Sequence, residues 1–458
     1  MTKTEVIVEL IARQIQNGSL PPGRRLEPIR RAAEQFEVSK NTVVEAYDRL
    51  CAKGLIDARH GSGFFVSNRQ IRQLAEEVAP KSLVQAVDRI SLLGAQLGQE
   101  FTVRVGDGRP PTSWMQGVIP TRLAPEILAE LAGDQTGYGN VFGNVSLREH
   151  IIHMHRVSGI GIEPANVLTT FGANHALDLV IRRFLSEGQT VLVDDPGYYP
   201  LFAKLDLVKL NIIGVPRTST GPDLEALAAL ASTHAPRMFF TQSLCQNPTG
   251  SSVDLPTAHG ILQLAQQYGF TIVDNDPFID LPGVAGVRLG QLDQFRSVIQ
   301  ISSYSKLLSA SIRVGYIIAP AETCAKIAEL KLVTIVNSSG LAETLVSDLI
   351  GSRRYQRHIK KLAGRLAAVR VDYLERIKKM NLRSLGGEGE GYYSYLLLPP
   401  STDEEDLVRR GAANGIFLAP GRMFRVNDKE PGPPALRINI TRLENPRFYG
   451  FLQQALNG

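Results

Sequence analysis

Hydrophobic positions along the 458-residue chain fall into two regimes. Near the start they recur at helical spacing, with Ile7, Leu10, Ile11 and Ile15 on one stripe, until a Gly/Pro-rich loop, "NGSLPPGRRLEP", ends the helix. The helical pattern returns in "IRRAAEQF" and, after a turn, in "SKNTVVEAYDRLCAKG". There Ser39 is placed as an N-cap, Gly54 as a stop, and Val43, Val44, Tyr47 and Leu50 as the buried face. Two helices joined by a tight turn predict a helix-turn-helix, and "LIDARHGSGFFVS" adds two short strands around Gly-Ser-Gly, a wing. Residues 67–100 are polar and helix-favouring with one proline break, which predicts a partly helical linker. From about residue 100 the regime changes. Strand-length apolar runs, "NVLTTF", "TVLVDD", "RMFFTQS", "FTIVDND" and "SVIQIS", alternate with helical segments. That alternation predicts an α/β domain with a mostly parallel sheet covered on both faces, and ligands beyond the carboxyl ends of its strands. The divisions expected are 1–68, 69–100 and 101–458.

Composition narrows the class. With 43% hydrophobic and 21% charged residues the chain can bury a large core and is not disordered. No apolar run reaches the roughly 18 residues of a membrane span, and the amphipathic, acid-containing start is no signal peptide, so a cytoplasmic protein is expected. Cys51, Cys245 and Cys324 are scattered, which predicts neither a disulfide framework nor a metal site. The net charge of +5 is mild, but residues 1–70 hold eleven Lys/Arg against eight Asp/Glu, a bias that permits nucleic-acid binding.

Candidate chemistry concentrates in "ISSYSKLLSASIRVGYIIAP", residues 301–320. Lys306 lies between two apolar runs, at the end of a strand, where desolvation lowers its pKa from roughly 10.4 and frees a neutral amine for Schiff-base chemistry. Ser303, Ser305 and Arg313 are suited to a phosphate. Together they point to a phosphorylated aldehyde cofactor held covalently. "TTFGANHALDLV" passes from strand to helix through Gly172, Ala173 and Asn174, a turn able to hold a phosphate. "DDPGYYP" offers Tyr198 and Tyr199 for stacking, "QNPTG" supplies Asn247, and "VDNDPF" ends a strand with clustered acids. "GYYSYLLLP", "APGRMF" and "LRINI" with Arg437 follow.

The string "GSLPPGRRLEPIRRAAEQFEVSKNTVVEAYDRLCAKGLIDARHGSGFFV" resembles the winged helix of the GntR regulators, and the chain from about residue 100 resembles the fold-type I aminotransferases, which use pyridoxal 5′-phosphate. As a whole it resembles the MocR-type regulators of the GntR family. The fold class implied is a winged helix-turn-helix, a large aminotransferase-like α/β domain and a smaller α+β C-terminal part. By this resemblance Lys306 forms the internal aldimine. Ser303, Ser305 and Arg313 make a phosphate cup with Gly172, Ala173 and Asn174. Tyr198 stacks on the ring, Asn247 bonds its phenolic oxygen, and Arg437 grips an effector carboxylate. Tyr138 matches a tyrosine that reaches the phosphate across a dimer interface, so a homodimer is expected. Lys40, Asn41 and Thr42 approach bases or phosphates of double-stranded operator DNA, Arg24, Arg25, Arg30 and the wing take the backbone, and Ser39, Tyr47 and Ser62 complete the DNA-contacting set.

Two stretches depart from the family pattern. "LEPIR" lacks the usual Pro-Ser pair, which puts one backbone contact in question. In "VDNDPF" the places of the aspartate that pairs with the pyridine nitrogen and of a following tyrosine fall on Asn275 and Phe278, while a one-residue shift would bring Asp274 or Asp276 to the nitrogen. An amide cannot hold the pyridinium proton as a carboxylate does, so Asn275 there implies slow transamination. The implied function is a regulator that senses pyridoxal phosphate or a small amino compound by aldimine exchange at Lys306. The alternative is an aminotransferase of low turnover with an appended DNA-binding module.

Overall fold

The computed structural model describes residues 2–16, 20–21, 23–59, 63–67, 89–97, 101–120, 137–157 and 160–457. The chain forms two compact units, Met1–Val84 and Gln85–Gly458.

In the first unit three helices, α1 (Lys3–Gln16), α2 (Ile29–Gln35) and α3 (Lys40–Ala52), precede an antiparallel pair, β1 (Ile56–Arg59) and β2 (Gly63–Val66). Ser39 caps α3, its Oγ accepting from Thr42 N at 3.2 Å, whereas α2 begins after Pro28 with no side-chain cap. The buried stripe on α3 runs through Val43, Ala46, Tyr47 and Leu50, spaced i, i+3, i+4, i+7, and meets Ile7, Val8 and Ile11 of α1. Leu10 and Val44 are exposed, contrary to the sequence reading, because each stands one position off its stripe. Tyr47 also needs correcting. It is 1% exposed, its hydroxyl donates to Glu27 O at 2.9 Å and its ring meets Phe64 edge-on, so it belongs to the core and not to the DNA-contacting set.

The second unit is built on an eight-stranded sheet. Its strands are β3 (Val167–Thr170), β4 (Thr190–Asp195), β5 (Asn211–Thr218), β6 (Gly221–Pro222), β7 (Met238–Thr241), β8 (Thr271–Asp276), β9 (Val298–Ser303) and β10 (Gly315–Ile318), in the order β3-β10-β9-β8-β7-β4-β5-β6. Pairings from β9 through β5 are parallel, while β10 and β6 run antiparallel to their neighbours. All five apolar runs become strands, and both faces are covered: Val191, Val193, Val273 and Ile301 pack on one side, Leu192, Phe239, Ile272 and Val298 on the other. β5 went unread in the sequence, because "NIIGVPRT" is broken by Gly214 and Pro216. A small antiparallel sheet follows, β11 (Arg383–Ser384), β12 (Tyr393–Leu397), β13 (Ala419–Pro420) and β14 (Ala435–Asn439), in the order β11-β12-β14-β13.

Of the expected linker, residues 68–88 and 98–100 lie outside the described residues. Arg89–Leu97 is a helix docked on the second unit through buried Leu92, with Arg89 donating to Met423 O at 3.3 Å, Arg425 O at 2.6 Å and Val426 O at 2.8 Å. Among the described residues no helix is long and apolar enough to cross a membrane.

Candidate cofactor site and DNA-binding face

Lys306 stands in the turn that leaves β9. Leu308 N closes that turn on Tyr304 O at 2.8 Å, and buried Tyr304, Leu307 and Leu308 anchor it, which leaves the lysine free to reach across to Gly108. Its Nζ donates to Gly108 O at 2.6 Å and lies 5.9 Å from the Tyr393 ring centroid. Burial pushes the ammonium down to about 8; Arg437 and Arg109 act in the same direction, and Tyr198 and Asp107 oppose them. Two residues unremarked in the sequence complete this corner. Tyr392 donates its hydroxyl to Lys306 O and Tyr393 to Gly108 O, each at 2.8 Å. The run "GYYSYLLLP" carried that signal, but nothing in it said which tyrosine turned inward.

A cluster of groups suited to an anion lies beside this turn. Gly172 takes φ 78° as the N-cap of the helix Ala173–Phe184, where a Cβ would come within 3.0 Å of the Arg313 guanidinium. His175 Nδ1 accepts from Phe171 N at 3.1 Å and ties the turn to the helix; burial pushes this imidazole down to about 4, so it is neutral and can accept. Arg313 reaches Phe171 O at 2.9 Å and Ser305 Oγ at 3.4 Å, and Ser303 Oγ donates to Ser305 Oγ at 3.0 Å. Asn174 Oδ1 is buried without a partner. Gly172, Ala173, Asn174, Ser303, Ser305 and Arg313 are thus neighbours, and a helix N-terminus with a guanidinium and two hydroxyls is a donor set for an anion.

The end of β8 sorts its three polar residues by alternation. Asp274 accepts from Ser243 N at 2.9 Å and Ser243 Oγ at 2.7 Å, and burial pushes its carboxyl up to about 6 against those hydrogen bonds. Asp276, on the same face, accepts from Arg288 Nε at 2.7 Å and Phe278 N at 3.0 Å. Asn275 points the other way, into a small cavity it lines with Tyr198, Gln242 and Gln246, and its Oδ1 is buried without a partner. Both aspartates are consumed by structural bonds; the amide is the group left open. Phe278 is fully buried against Tyr392, with ring centroids 4.9 Å apart. Gln242, absent from the sequence reading, holds two of these residues at once, accepting from Asn247 N at 2.7 Å and donating to Asn275 O at 3.1 Å.

Arg437, 1% exposed, lies 5.2 Å from the Tyr393 ring centroid, and its Nη groups reach Asn247 Oδ1 at 3.3 Å and Gly106 O at 2.6 Å, while Nε has no partner. A Cβ on Gly108 would come within 3.5 Å of Arg437 Nη1, so the glycine separates the arginine from Lys306. Tyr138 is 85% exposed and touches none of this group. The orphaned Asn275 and Asn174 oxygens, the glycine cradle and the desolvated lysine together fit a flat, phosphorylated aldehyde.

In the first unit Arg24, Arg25, Arg30, Ser39, Lys40 and Asn41 are exposed and Thr42 is half-buried. Lys3, Arg30, Ser39, Lys40 and Thr42 line one shallow groove, with Ser39 Oγ already paired to Thr42 Oγ1 at 2.8 Å. Ser62 lies outside the described residues. Arg59, unremarked in the sequence, stacks on Phe65 of β2 at 4.5 Å, and Arg25 bridges to the same residue through its backbone, so both cations stand beside the wing.

Comparison with known proteins gives two family matches, Aminotransferase class I and II over residues 103–448 and Bacterial regulatory proteins, gntR family, over residues 3–66. The uncharacterized HTH-type transcriptional regulator YdcR of Escherichia coli is 26% identical over 93% of this chain and 93% of its own length. The 2-aminoadipate transaminase of Thermus thermophilus is 29% identical over 70% of this chain and 81% of its own. Among solved structures, the α-aminoadipate aminotransferase LysN of Thermus thermophilus, complexed with N-(5′-phosphopyridoxyl)-L-leucine, superposes with a TM-score of 0.70 at 25% identity, covering 84% of this chain and 98% of that one.

Proposed function

Because the chain belongs to the class I and II aminotransferases and carries a gntR-family DNA-binding module ahead of that domain, the architecture of the MocR-type regulators, we propose that it is a transcriptional regulator whose large unit senses pyridoxal 5′-phosphate or an amino compound reacting with it. The observation that supports this reading is the open oxygen of Asn275, with Asp274 and Asp276 spent on Ser243 and Arg288: an amide at the ring nitrogen would hold its proton less well than a carboxylate and so slow transamination.

Pyridoxal 5′-phosphate supplies an aldehyde to which a primary amine adds with loss of water. The residues that would hold it are Gly172, Ala173, Asn174, Ser303, Ser305 and Arg313 at the phosphate, Tyr198 at the ring face, Asn247 and Asn275 at its edge, and Lys306 at the aldehyde. The chain's own part is to present Lys306 as a neutral amine, which burial favours, and to receive that amine on Gly108 O when an effector amine takes its place. Arg437, whose Nη1 lies beside Gly108 and whose Nε has no partner, is the group to hold the effector's carboxylate. Exposed Tyr138 suits a residue completed by a second chain, and a homodimer would present two winged helices to two half-sites. Effector binding changes DNA affinity only if it binds two conformations of the protein unequally.

A second reading, an active aminotransferase with a DNA-binding appendage, is supported by Lys306 and by the likeness to the 2-aminoadipate transaminase. One experiment separates them: a gel-shift titration on DNA upstream of the protein's own coding region, at fixed salt and with competitor DNA, with and without pyridoxal phosphate. A specific, cofactor-sensitive shift is expected. No shift beyond competitor level, together with rapid exchange of amino groups between an amino acid and a 2-oxo acid, would overturn the regulator in favour of the enzyme.

A further inference from the structure

The first described helix of the second unit, Arg89–Leu97, grips the surroundings of Lys306 and Arg437 at both of its ends. At its start Arg89 donates to the carbonyls of Met423, Arg425 and Val426, and Phe424, between them in the chain, lays its ring 5.1 Å from the Arg437 guanidinium. Near its close stands Gln96, a buried side chain whose amide is paired at both ends. Its Oε1 accepts from Gly108 N at 3.2 Å and its Nε2 donates to the Tyr199 hydroxyl, while the Tyr199 ring meets Phe424 edge-on at 5.2 Å.

Gly108 is therefore held on two sides. Its N–H goes to Gln96, and its carbonyl takes the Lys306 Nζ at 2.6 Å and the Tyr393 hydroxyl at 2.8 Å. A Cβ on Gly108 would come within 3.0 Å of Gln96 Oε1, so only a glycine lets the amide approach this closely. Glycine also has the widest choice of backbone angles, and the direction of its carbonyl depends on what holds its N–H. Packing alone would not call for an amide here, because an apolar side chain of similar length fills the same space without a polar group to desolvate. What the amide adds is the orientation of Gly108.

We infer that Gln96 is a positioning residue for Lys306: it fixes the Gly108 carbonyl as the resting acceptor of the free lysine amine, and so ties the helix Arg89–Leu97, which follows the linker in the chain, to whether that amine is free. This rests on the reading of Lys306 as the reactive amine and adds the group through which its state reaches the helix. Such a tie is reciprocal. Without the Gln96 bond the amine has a poorly aimed acceptor, and a lysine taken from Gly108 leaves the helix with one anchor fewer. An ammonium gains more from a carbonyl acceptor than a neutral amine does, so loosening the Gly108 carbonyl favours loss of the lysine proton.

The test uses the full-length, cofactor-free protein. Labelling of Lys306 by trace acetic anhydride is followed against pH by mass spectrometry of the peptide that carries it, and hydrogen exchange is followed over residues 89–97. Gln96→Met, similar in length but without the acceptor, should bring the midpoint of Lys306 labelling about 0.5 pH unit or more below the parent's. Gln96→Glu keeps an oxygen for Gly108 N and for the Tyr199 hydroxyl, and its charge also favours the ammonium, so its midpoint should equal or exceed the parent's. In the other direction, Lys306→Ala should speed exchange over residues 89–97 about threefold or more, and adding it to Gln96→Met should speed exchange no further than Gln96→Met alone. A midpoint unchanged in Gln96→Met, or lowered equally in Gln96→Glu, would overturn the positioning role. Equal exchange in the parent and in Lys306→Ala would overturn the tie to the helix, and this comparison decides by itself if Gln96→Met does not fold. Failure of pyridoxal phosphate to form a covalent band with the parent, while these shifts are seen, would instead remove the reading of Lys306 as the cofactor's amine and leave the tie in place.

Discussion

In the proposed cofactor site Lys306 and Asn275 each have a measurable signature. A lysine in water keeps its proton to about pH 10.4, whereas burial brings this one to about 8. The neutral amine is the reactive form, so the covalent complex formed on adding pyridoxal phosphate to cofactor-free protein should rise with pH, reach half its plateau near pH 8 and level off above it. A rise continuing past pH 10 in the absorbance titration would mean a solvated lysine. Lys306→Ala should abolish the band and leave the far-ultraviolet circular dichroism unchanged. At Asn275 the argument concerns an unpaired oxygen. Asn275→Asp puts a carboxylate into that cavity, which without cofactor costs ~1–3 kcal/mol of stability or more. The variant should therefore melt lower than the parent when cofactor-free and gain more from pyridoxal phosphate, because the ring's protonated nitrogen would give the carboxylate a partner. Equal gains in thermal shift for both proteins would place Asn275 away from the nitrogen.

At the scale of elements, α3 divides its faces between core and solvent, with Tyr47 on the buried side and Lys40 on the exposed one proposed to meet DNA. Tyr47→Phe removes the hydroxyl bond to Glu27 O and should lower the stability of the first unit by about 1 kcal/mol, with operator affinity preserved once the unit is folded. Lys40→Ala should leave stability unchanged, weaken binding to all DNA sequences alike and reduce the salt slope of binding by roughly 1 if Lys40 meets a phosphate. Fluorescence anisotropy over a salt series, beside thermal unfolding, reads both. Conversely, a Tyr47→Phe variant that folds normally but loses DNA affinity would return Tyr47 to the DNA face. Element boundaries explain why the strand readings succeeded and the tyrosine did not. A five-residue apolar run has one way to lie in a two-sided sheet, whereas a tyrosine on an amphipathic helix can serve either face.

For the whole molecule, the two units carry separate cores, one around Tyr47 and Leu50 and the other around the eight-stranded sheet. A ligand stabilises only the unit that binds it, by an amount set by its concentration relative to its dissociation constant. Calorimetry should show two transitions, of which pyridoxal phosphate raises one and leaves the other in place; a single transition, or two that move together, would mean the units unfold as one. The sequence by itself determined the division into a helical, basic first part and an α/β remainder, the succession of five main strands along the chain, and the presence of a lysine, hydroxyls and an arginine suited to a phosphorylated aldehyde. These are properties of periodicity and local composition, which neighbours along the chain dictate. Only the tertiary structure decided which of Asp274, Asn275 and Asp276 stays open, that Tyr393 lies under both Lys306 and Arg437, and that Arg442, far away in sequence, joins Arg104 and Arg109 at the carboxylate of Asp107. Each of those depends on partners brought together by strand register and chain crossing, and no local pattern encodes such a meeting.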